Sequence, residues 1–213
     1  KGRYFKCSTK NTTIAFIPAF HISYYKKTAS LQIITDNEAF NIPFDFSEYS
    51  EKSSAIKLGS SLFSDKGIRL NVKTDDITAQ GMLKFSSLSP IRYDIMGPFK
   101  FVPFMQCRHS VFSMKHQVDG QITVNGQIYK FQNGIGYIEG DRGYSFPERY
   151  IWTQCCFNDG SLMLSVADIP LCGFNFTGII GIILLGGKEY RIATYLGAKV
   201  KRIGNNSVIV KQG

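Results

Sequence analysis

Ile122-Thr123-Val124-Asn125-Gly126-Gln127-Ile128-Tyr129-Lys130-Phe131 decides the fold class. Two runs rich in β-branched and aromatic residues flank an Asn-Gly pair. Both residues of such a pair accept positive φ, which gives a two-residue loop whose twist matches that of the strands it joins. The stretch therefore predicts an antiparallel hairpin. Outward from it the same punctuation recurs as Asp65-Lys66-Gly67 between Leu62-Phe63 and Ile68 to Val72, Asp119-Gly120, Asp159-Gly160 and Gly186-Gly187. Period-two alternation runs between these turns and helical periodicity is scarce. With 17 Phe, 11 Tyr and 20 Gly in 213 residues, the composition points the same way. The expectation is an all-β protein, a meandering antiparallel sheet or barrel. Pro90 to Pro103 holds three of the seven prolines and little alternation, and reads as a long connection.

Sliding the chain along itself shows an internal echo. Arg3-Tyr4-Phe5 recurs as Arg149-Tyr150-Ile151. Thr13 to Pro18 then matches Leu162 to Val166 leading to Pro170, Ser30 to Ile34 matches Gly178 to Ile183, and Ala39 to Ile42 matches Glu189 to Ile192. This order of elements suggests a duplicated β unit with halves at 1–140 and 141–213, the second lacking counterparts of the hairpins after Ile77. Two such units would leave a cleft or barrel mouth lined by inward side chains, a usual place for a hydrophobic small molecule.

The formal charge of +9, from 25 basic and 16 acidic residues, favours anionic partners, an acidic lipid surface among them. The basic residues are scattered. Only Lys26-Lys27 and Lys199, Lys201 and Arg202 cluster, and no recognisable nucleic-acid motif accompanies them, so nucleic acid is not expected as a partner. Five cysteines without CxxC spacing suggest neither a disulfide framework nor a zinc site, and fit a reducing, cytoplasmic compartment. The Asn11, Asn175 and Asn205 triplets are read as chance matches to the glycosylation pattern. Ile179 to Leu185 is far too short to span a bilayer and reads as a buried strand. The absence of a serine nucleophile elbow and of a glycine-rich phosphate loop argues against hydrolases, kinases and dinucleotide enzymes. No cofactor and no defined protein partner are expected.

The least generic stretch runs from Gly136 through Tyr137-Ile138-Glu139-Gly140-Asp141-Arg142-Gly143-Tyr144-Ser145-Phe146-Pro147-Glu148-Arg149-Tyr150-Ile151-Trp152-Thr153-Gln154 to Cys155. Three acids (Glu139, Asp141 and Glu148), three tyrosines, the single tryptophan and a glutamine fall within twenty residues. This resembles the tocopherol cyclase family, in which an acid, a Trp-Gly pair, Phe-Pro, an aromatic cluster and a Gln follow in the same order; the carotenoid hydratases look like more distant relatives. Gly2-Arg3-Tyr4-Phe5-Lys6 resembles the family's amino-terminal strand, and the likeness continues through Asp168 and Lys188-Glu189-Tyr190. Arg3 and Arg142 stand where the family usually has Trp, and Cys156 where Asn is common. The resemblance implies a pair of lipocalin-like β domains and closure of a chromanol ring on a prenylated hydroquinone.

That chemistry adds a phenol oxygen across a trisubstituted alkene, and needs a proton donor, stabilisation of a tertiary cation and exclusion of bulk water. If Glu139 and Asp141 share a strand, their spacing puts both on one face. Mutual repulsion and partial burial would then keep one protonated as the donor while the other stays ionised. Tyr150 and Trp152 offer π faces to a cation. His21, Arg142, Tyr144, Arg149, Gln154 and Asp168 complete the expected substrate-binding set, with Glu139 and Asp141 as catalytic acids and no metal ligand. Blander readings stay open at each position: an ion-paired corner for Glu139 and Asp141 with Arg142 and Arg149, core packing for Trp152, turns for Gly143 and Pro147, and backbone satisfaction for Gln154. Two other classes also stay open. One is a carrier whose arginine pair suits an anionic head on an apolar tail; the other is a partner surface without chemistry.

Overall fold

The computed structural model describes residues 1–103, 105–171, 174–205 and 207–213. Cys172, one of the five cysteines, and part of the Asn205 triplet lie outside the described residues. By contacts the chain divides into two units, residues 1–89 with 115–140, and residues 90–114 with 141–213.

The first unit begins as a four-strand meander, β1 (Gly2–Ser8), β2 (Thr13–Ile22), β3 (Lys27–Thr35) and β4 (Ala39–Asp45). A 3-10 turn over Phe46–Glu48 leads to β5 (Tyr49–Lys52), β6 (Ala55–Leu58), β7 (Ser61–Ser64), β8 (Gly67–Lys73) and β9 (Thr78–Phe85). Two long strands follow after the connection, β10 (Cys107–Val124) and β11 (Gln127–Gly143). They form one antiparallel sheet in the order β4-β3-β2-β1-β11-β10-β9-β8-β7-β6-β5. Its edge strands, β4 and β5, are consecutive in the chain and separated only by the 3-10 turn. The edges therefore have to meet, and the twisted sheet closes on itself as a nearly complete barrel. Lys1 Nζ and Arg3 Nη2 reach across to Glu51 of β5 at 2.6 and 3.0 Å, and Arg3 Nη1 donates to the Ser54 carbonyl at 2.6 Å.

Alternation fills the concave side. In β8 the pattern buries Ile68, Leu70 and Val72 while Arg69, Asn71 and Lys73 face out. Phe5, Phe16 and Phe63 meet there, with Phe63 5.8 Å from Phe5 and 6.2 Å from Phe16 between ring centroids. The interior of this unit holds a contiguous apolar core, built of the chain's own side chains.

The hairpin at Asn125-Gly126 forms as expected, with φ of 46° and 83°. Turns also form at Asp65-Lys66, between β7 and β8, and at the two positions in the second unit described below. Asp119-Gly120 is a correction: it lies inside β10 and turns nothing. Gly120 is needed for close approach, since a Cβ there would lie 2.2 Å from the Met82 carbonyl oxygen of the neighbouring β9.

The second unit contains another four-strand meander, β12 (Tyr150–Phe157), β13 (Gly160–Leu171), β14 (Phe174–Leu185) and β15 (Lys188–Ala193), with turns at Asp159-Gly160 and Gly186-Gly187. A hairpin of β16 (Lys199–Ile203) and β17 (Val208–Lys211) packs Val200, Val208 and Val210 against Leu164, Val166 and Ile179. The apolar run Ile179 to Leu185 is a strand, as expected, lying in β14 between β13 and β15. Residues 90–103 form the expected connection, with a 3-10 turn over Gly97–Phe101. Arg191 of β15 donates to the carbonyls of Tyr93 and Asp94, and the Arg92 N–H donates to Glu189 at 2.7 Å, which ties that connection to the sheet edge. The two tripeptides of the internal echo each start a meander of four strands whose last strand runs into a 3-10 turn, Phe46–Glu48 in one case and Thr194–Leu196 in the other. The correspondence is one of element order. Among the described residues no helix is long and apolar enough to cross a membrane.

Two outcomes follow from this packing. Phe63→Ala should lower unfolding stability by about 3 to 5 kcal/mol, read from the denaturant midpoint, because it empties a fully enclosed site between two other rings. His116 is buried against the Phe85 ring, 4.6 Å between centroids, and burial lowers its pKa from 6.5 to about 4. The folded protein therefore binds this proton less readily than the unfolded chain. Stability should fall as pH drops from about 6.5 towards about 4, and His116→Gln should flatten that slope in thermal melts.

Candidate functional site

Both acids lie in β11, two residues apart, but Glu139 belongs to the first unit and Asp141 to the second. Glu139 is 6% exposed. A carboxylate so enclosed needs donors, since its lost hydration must be replaced by hydrogen bonds. Tyr137, on the same face of the strand, supplies one: its hydroxyl donates to Glu139 Oε2 at 2.6 Å. Tyr4 of β1 lies within reach of the same charge, and its phenol is pushed up to about 12 by burial first and by Glu139 and Cys7 after it. Tyr137→Phe, which removes a donor to a buried acid and little else, should cost roughly 1.5 to 3 kcal/mol in denaturant unfolding.

Asp141 stands in a different setting. Cys107 and His109, two apart on β10, both meet its Oδ1: His109 Nδ1 lies 2.9 Å away and the Cys107 thiol donates at 3.4 Å. The His109 side chain is 10% exposed and that of Asp141 30%. Among the described residues Asp141 Oδ2 makes no hydrogen bond, so the second oxygen of a half-enclosed carboxyl is available to a ligand. Burial, and after it the Asp141 charge and hydrogen bond, pushes the Cys107 thiol up to about 12. At neutral pH Cys107 is therefore a hydrogen-bond donor and not a nucleophile. Among the described residues no group of three His, Cys, Asp or Glu can hold a metal ion. Cys107 and His109 point at one oxygen of Asp141, which leaves no common centre for three ligands.

Earlier in β11, within the first unit, Asn133 takes a positive φ of 53°. Asp119 accepts the Asn133 N–H at 2.9 Å, while Gln117 Nε2 bridges Asn133 Oδ1 and Asp119 Oδ2 at 2.8 and 2.7 Å. These bonds hold the Asp119 carboxyl below its usual pKa. At the far end of β11, the Tyr144 N–H donates to the Gln106 carbonyl at 3.0 Å. Gly143 comes so close to the start of β10 that a Cβ would lie 1.9 Å from the same carbonyl oxygen. Gly143, read above as a turn residue, clamps the strand end that carries Asp141.

The other expected residues are distributed as follows. In the second unit, alternation along β12 puts Tyr150, Trp152 and Gln154 on one face. Tyr150 is exposed and stacks on Phe146 at 6.3 Å; Trp152 sits at the margin of exposure. Gln154 is buried, and its Nε2 donates to Cys156 Sγ at 3.3 Å. Arg142 and Tyr144 are exposed. Arg149 pairs with Asp168 at 2.7 Å, and Thr177 also donates to Asp168 at 3.3 Å, so two expected binding residues hold each other. His21 stands in the first unit, exposed on β2 opposite Thr28. Sequence reasoning passed over Cys107, His109, Tyr4 and Tyr137. The signal available for three of them was a spacing of two within a strand, Cys107 to His109 and Tyr137 to Glu139, which names a shared face but not what lies opposite.

Residues 76–170 match the protein-family model described as tocopherol cyclase-like. No curated protein matches the chain. The matched span contains Cys107, His109, Glu139, Asp141 and the aromatic residues of β12, and the match supports a cyclase-like or lipocalin-fold function in general. The segment from 76 to 170 is tocopherol cyclase-like, the family that the residues from Glu139 to Gln154 resemble.

Proposed function

We propose that this protein is an acid catalyst of the tocopherol cyclase type, acting on an isoprenoid or prenylated hydrophobic substrate. The observation that carries the reading is the Asp141 and His109 pair, lying inside the family-matched span with one carboxyl oxygen that makes no hydrogen bond among the described residues. In this mechanism Asp141 Oδ2 delivers a proton to the less substituted carbon of the alkene, and the positive charge develops on the tertiary carbon. The substrate's phenol oxygen attacks that carbon and its proton returns to the carboxylate, so the net reaction is an isomerisation. Where water attacks in place of the phenol, the product is a tertiary alcohol and the proton balance is the same. His109 holds the carboxyl in place and shares its proton. The π faces of Tyr150 and Trp152 supply cation stabilisation. Glu139, enclosed with Tyr137 and Tyr4, is the second acid of this proposal and remains in its own hydrogen-bonded setting.

A carrier without chemistry is the second reading. The stacked, exposed Phe146 and Tyr150 favour it, because rings presented to solvent suit a stable apolar ligand.

Incubation with a prenylated hydroquinone in deuterium oxide separates the two readings. A cyclase yields a chromanol carrying one solvent deuterium on the carbon that was protonated, seen by NMR, and Asp141→Asn should slow its formation by about 10² to 10⁴. A ligand that is bound and recovered unchanged identifies the carrier, and full activity in both Asp141→Asn and Glu139→Gln would overturn the acid mechanism.

A further inference from the structure

The turn between β2 and β3 is built in an unusual way. Ser23 and Lys26 close it: the Ser23 N–H donates to the Lys26 carbonyl at 2.9 Å, and the Lys26 N–H returns a bond to Ser23 Oγ at 3.1 Å. The two positions at its apex, where Gly, Asn, Asp or Pro would be ordinary, are Tyr24 and Tyr25. They are 94% and 92% exposed, in edge contact with each other at 4.9 Å, and Ile22 beside them is 53% exposed. Lys26 and Lys27 flank the rings. The base of the hairpin is braced: Lys27 lies over the Phe46 ring at 5.7 Å, and Phe20 contacts Phe46 and Tyr49 at 5.9 and 5.0 Å. The protein thus holds an apolar, aromatic point outward on a rigid footing.

We propose that this tip, Ile22 to Lys27, docks the protein on an anionic lipid bilayer. Tyrosine rings favour the headgroup boundary, where the ring leaves water while the hydroxyl stays wet, and lysines beside them meet acidic headgroups. The nearest acids are set back from the apex. Asp45 is opposite Thr28, Glu48 bonds back to the Asp45 N–H, and Glu51 is taken up by Lys1 and Arg3. A protein partner fits less well, because a stable protein interface needs roughly 800 Å² on each side, whereas this six-residue tip is convex and narrow. A bilayer accepts such a point without matching its shape. The docking would bring the protein to the phase in which a prenylated substrate dissolves, but it does not rest on turnover and is tested without substrate.

The test is co-sedimentation of the full chain with vesicles of phosphatidylcholine alone and of phosphatidylcholine mixed with phosphatidylglycerol. The wild type should sediment with the anionic vesicles and be released by high salt. Tyr24→Ser with Tyr25→Ser should lower the partition coefficient at least about tenfold, and Lys26→Gln with Lys27→Gln by roughly fivefold per lysine. The tyrosine double variant should keep the wild-type melting temperature, because Tyr24 and Tyr25 are almost fully exposed. Failure of the wild type to sediment would overturn the proposal, as would sedimentation of the tyrosine variant at the wild-type level. An effect of that variant confined to self-association, seen by sedimentation velocity without vesicles, would assign the tip to a protein contact instead.

Discussion

The surroundings of both acids depend on the pairing of β10 with β11. Asn125-Gly126 turns the chain between the two strands, Asn133 is held by Asp119 and Gln117, and Gly143 is pressed on the Gln106 carbonyl. A strand presents alternate side chains to opposite faces, so one residue of slip exchanges every face it offers. In the second unit, Asp141 of β11 meets His109 of β10. The same strand encloses Glu139 with Tyr137.

A second constraint is closure of the eleven-stranded sheet. Three residues of 3-10 turn separate its two edge strands, so curvature is imposed by connectivity, and the ion pairs from Lys1 and Arg3 to Glu51 secure it. Arg3 is buried, 8% exposed. Here its guanidinium forms a charged and hydrogen-bonded bridge across the sheet, a role that an indole could not fill. The concave side beneath is filled by Phe5, Phe16, Phe63 and their neighbours. The first unit therefore uses its interior for stability, whereas the aromatic residues of the second unit's β12 and of the segment before it include several that face solvent.

The two acids illustrate how neighbouring positions on one strand acquire different chemistry. Glu139 is enclosed and receives a tyrosine hydroxyl, a setting that restricts movement of the group. Asp141 is half open and shares one oxygen between an imidazole and a thiol, and among the described residues its other oxygen makes no hydrogen bond. The thiol is kept protonated by its burial and by the carboxylate beside it, so the cluster is organised around the acid and not around the sulfur.

Much of the fold was legible in the residues alone. Alternation and turn chemistry are local properties, because a side chain's face and a turn's φ values depend only on the residue and its immediate neighbours; they were enough to determine an all-β chain, its hairpins at Asn125-Gly126 and Gly186-Gly187, and the strand character of Ile179 to Leu185. They failed at Asp119-Gly120, where glycine answers to a neighbouring strand's carbonyl and not to a turn. The sequence also determined the family likeness and the presence of two acids two residues apart in a strand. Only the tertiary structure decided that His109 and Cys107 stand beside Asp141, that Arg149 pairs with Asp168, and that His21 lies in the first unit. Those pairings depend on register and sheet closure, which sum contributions from residues far apart in the chain and cannot be read from any one stretch of it.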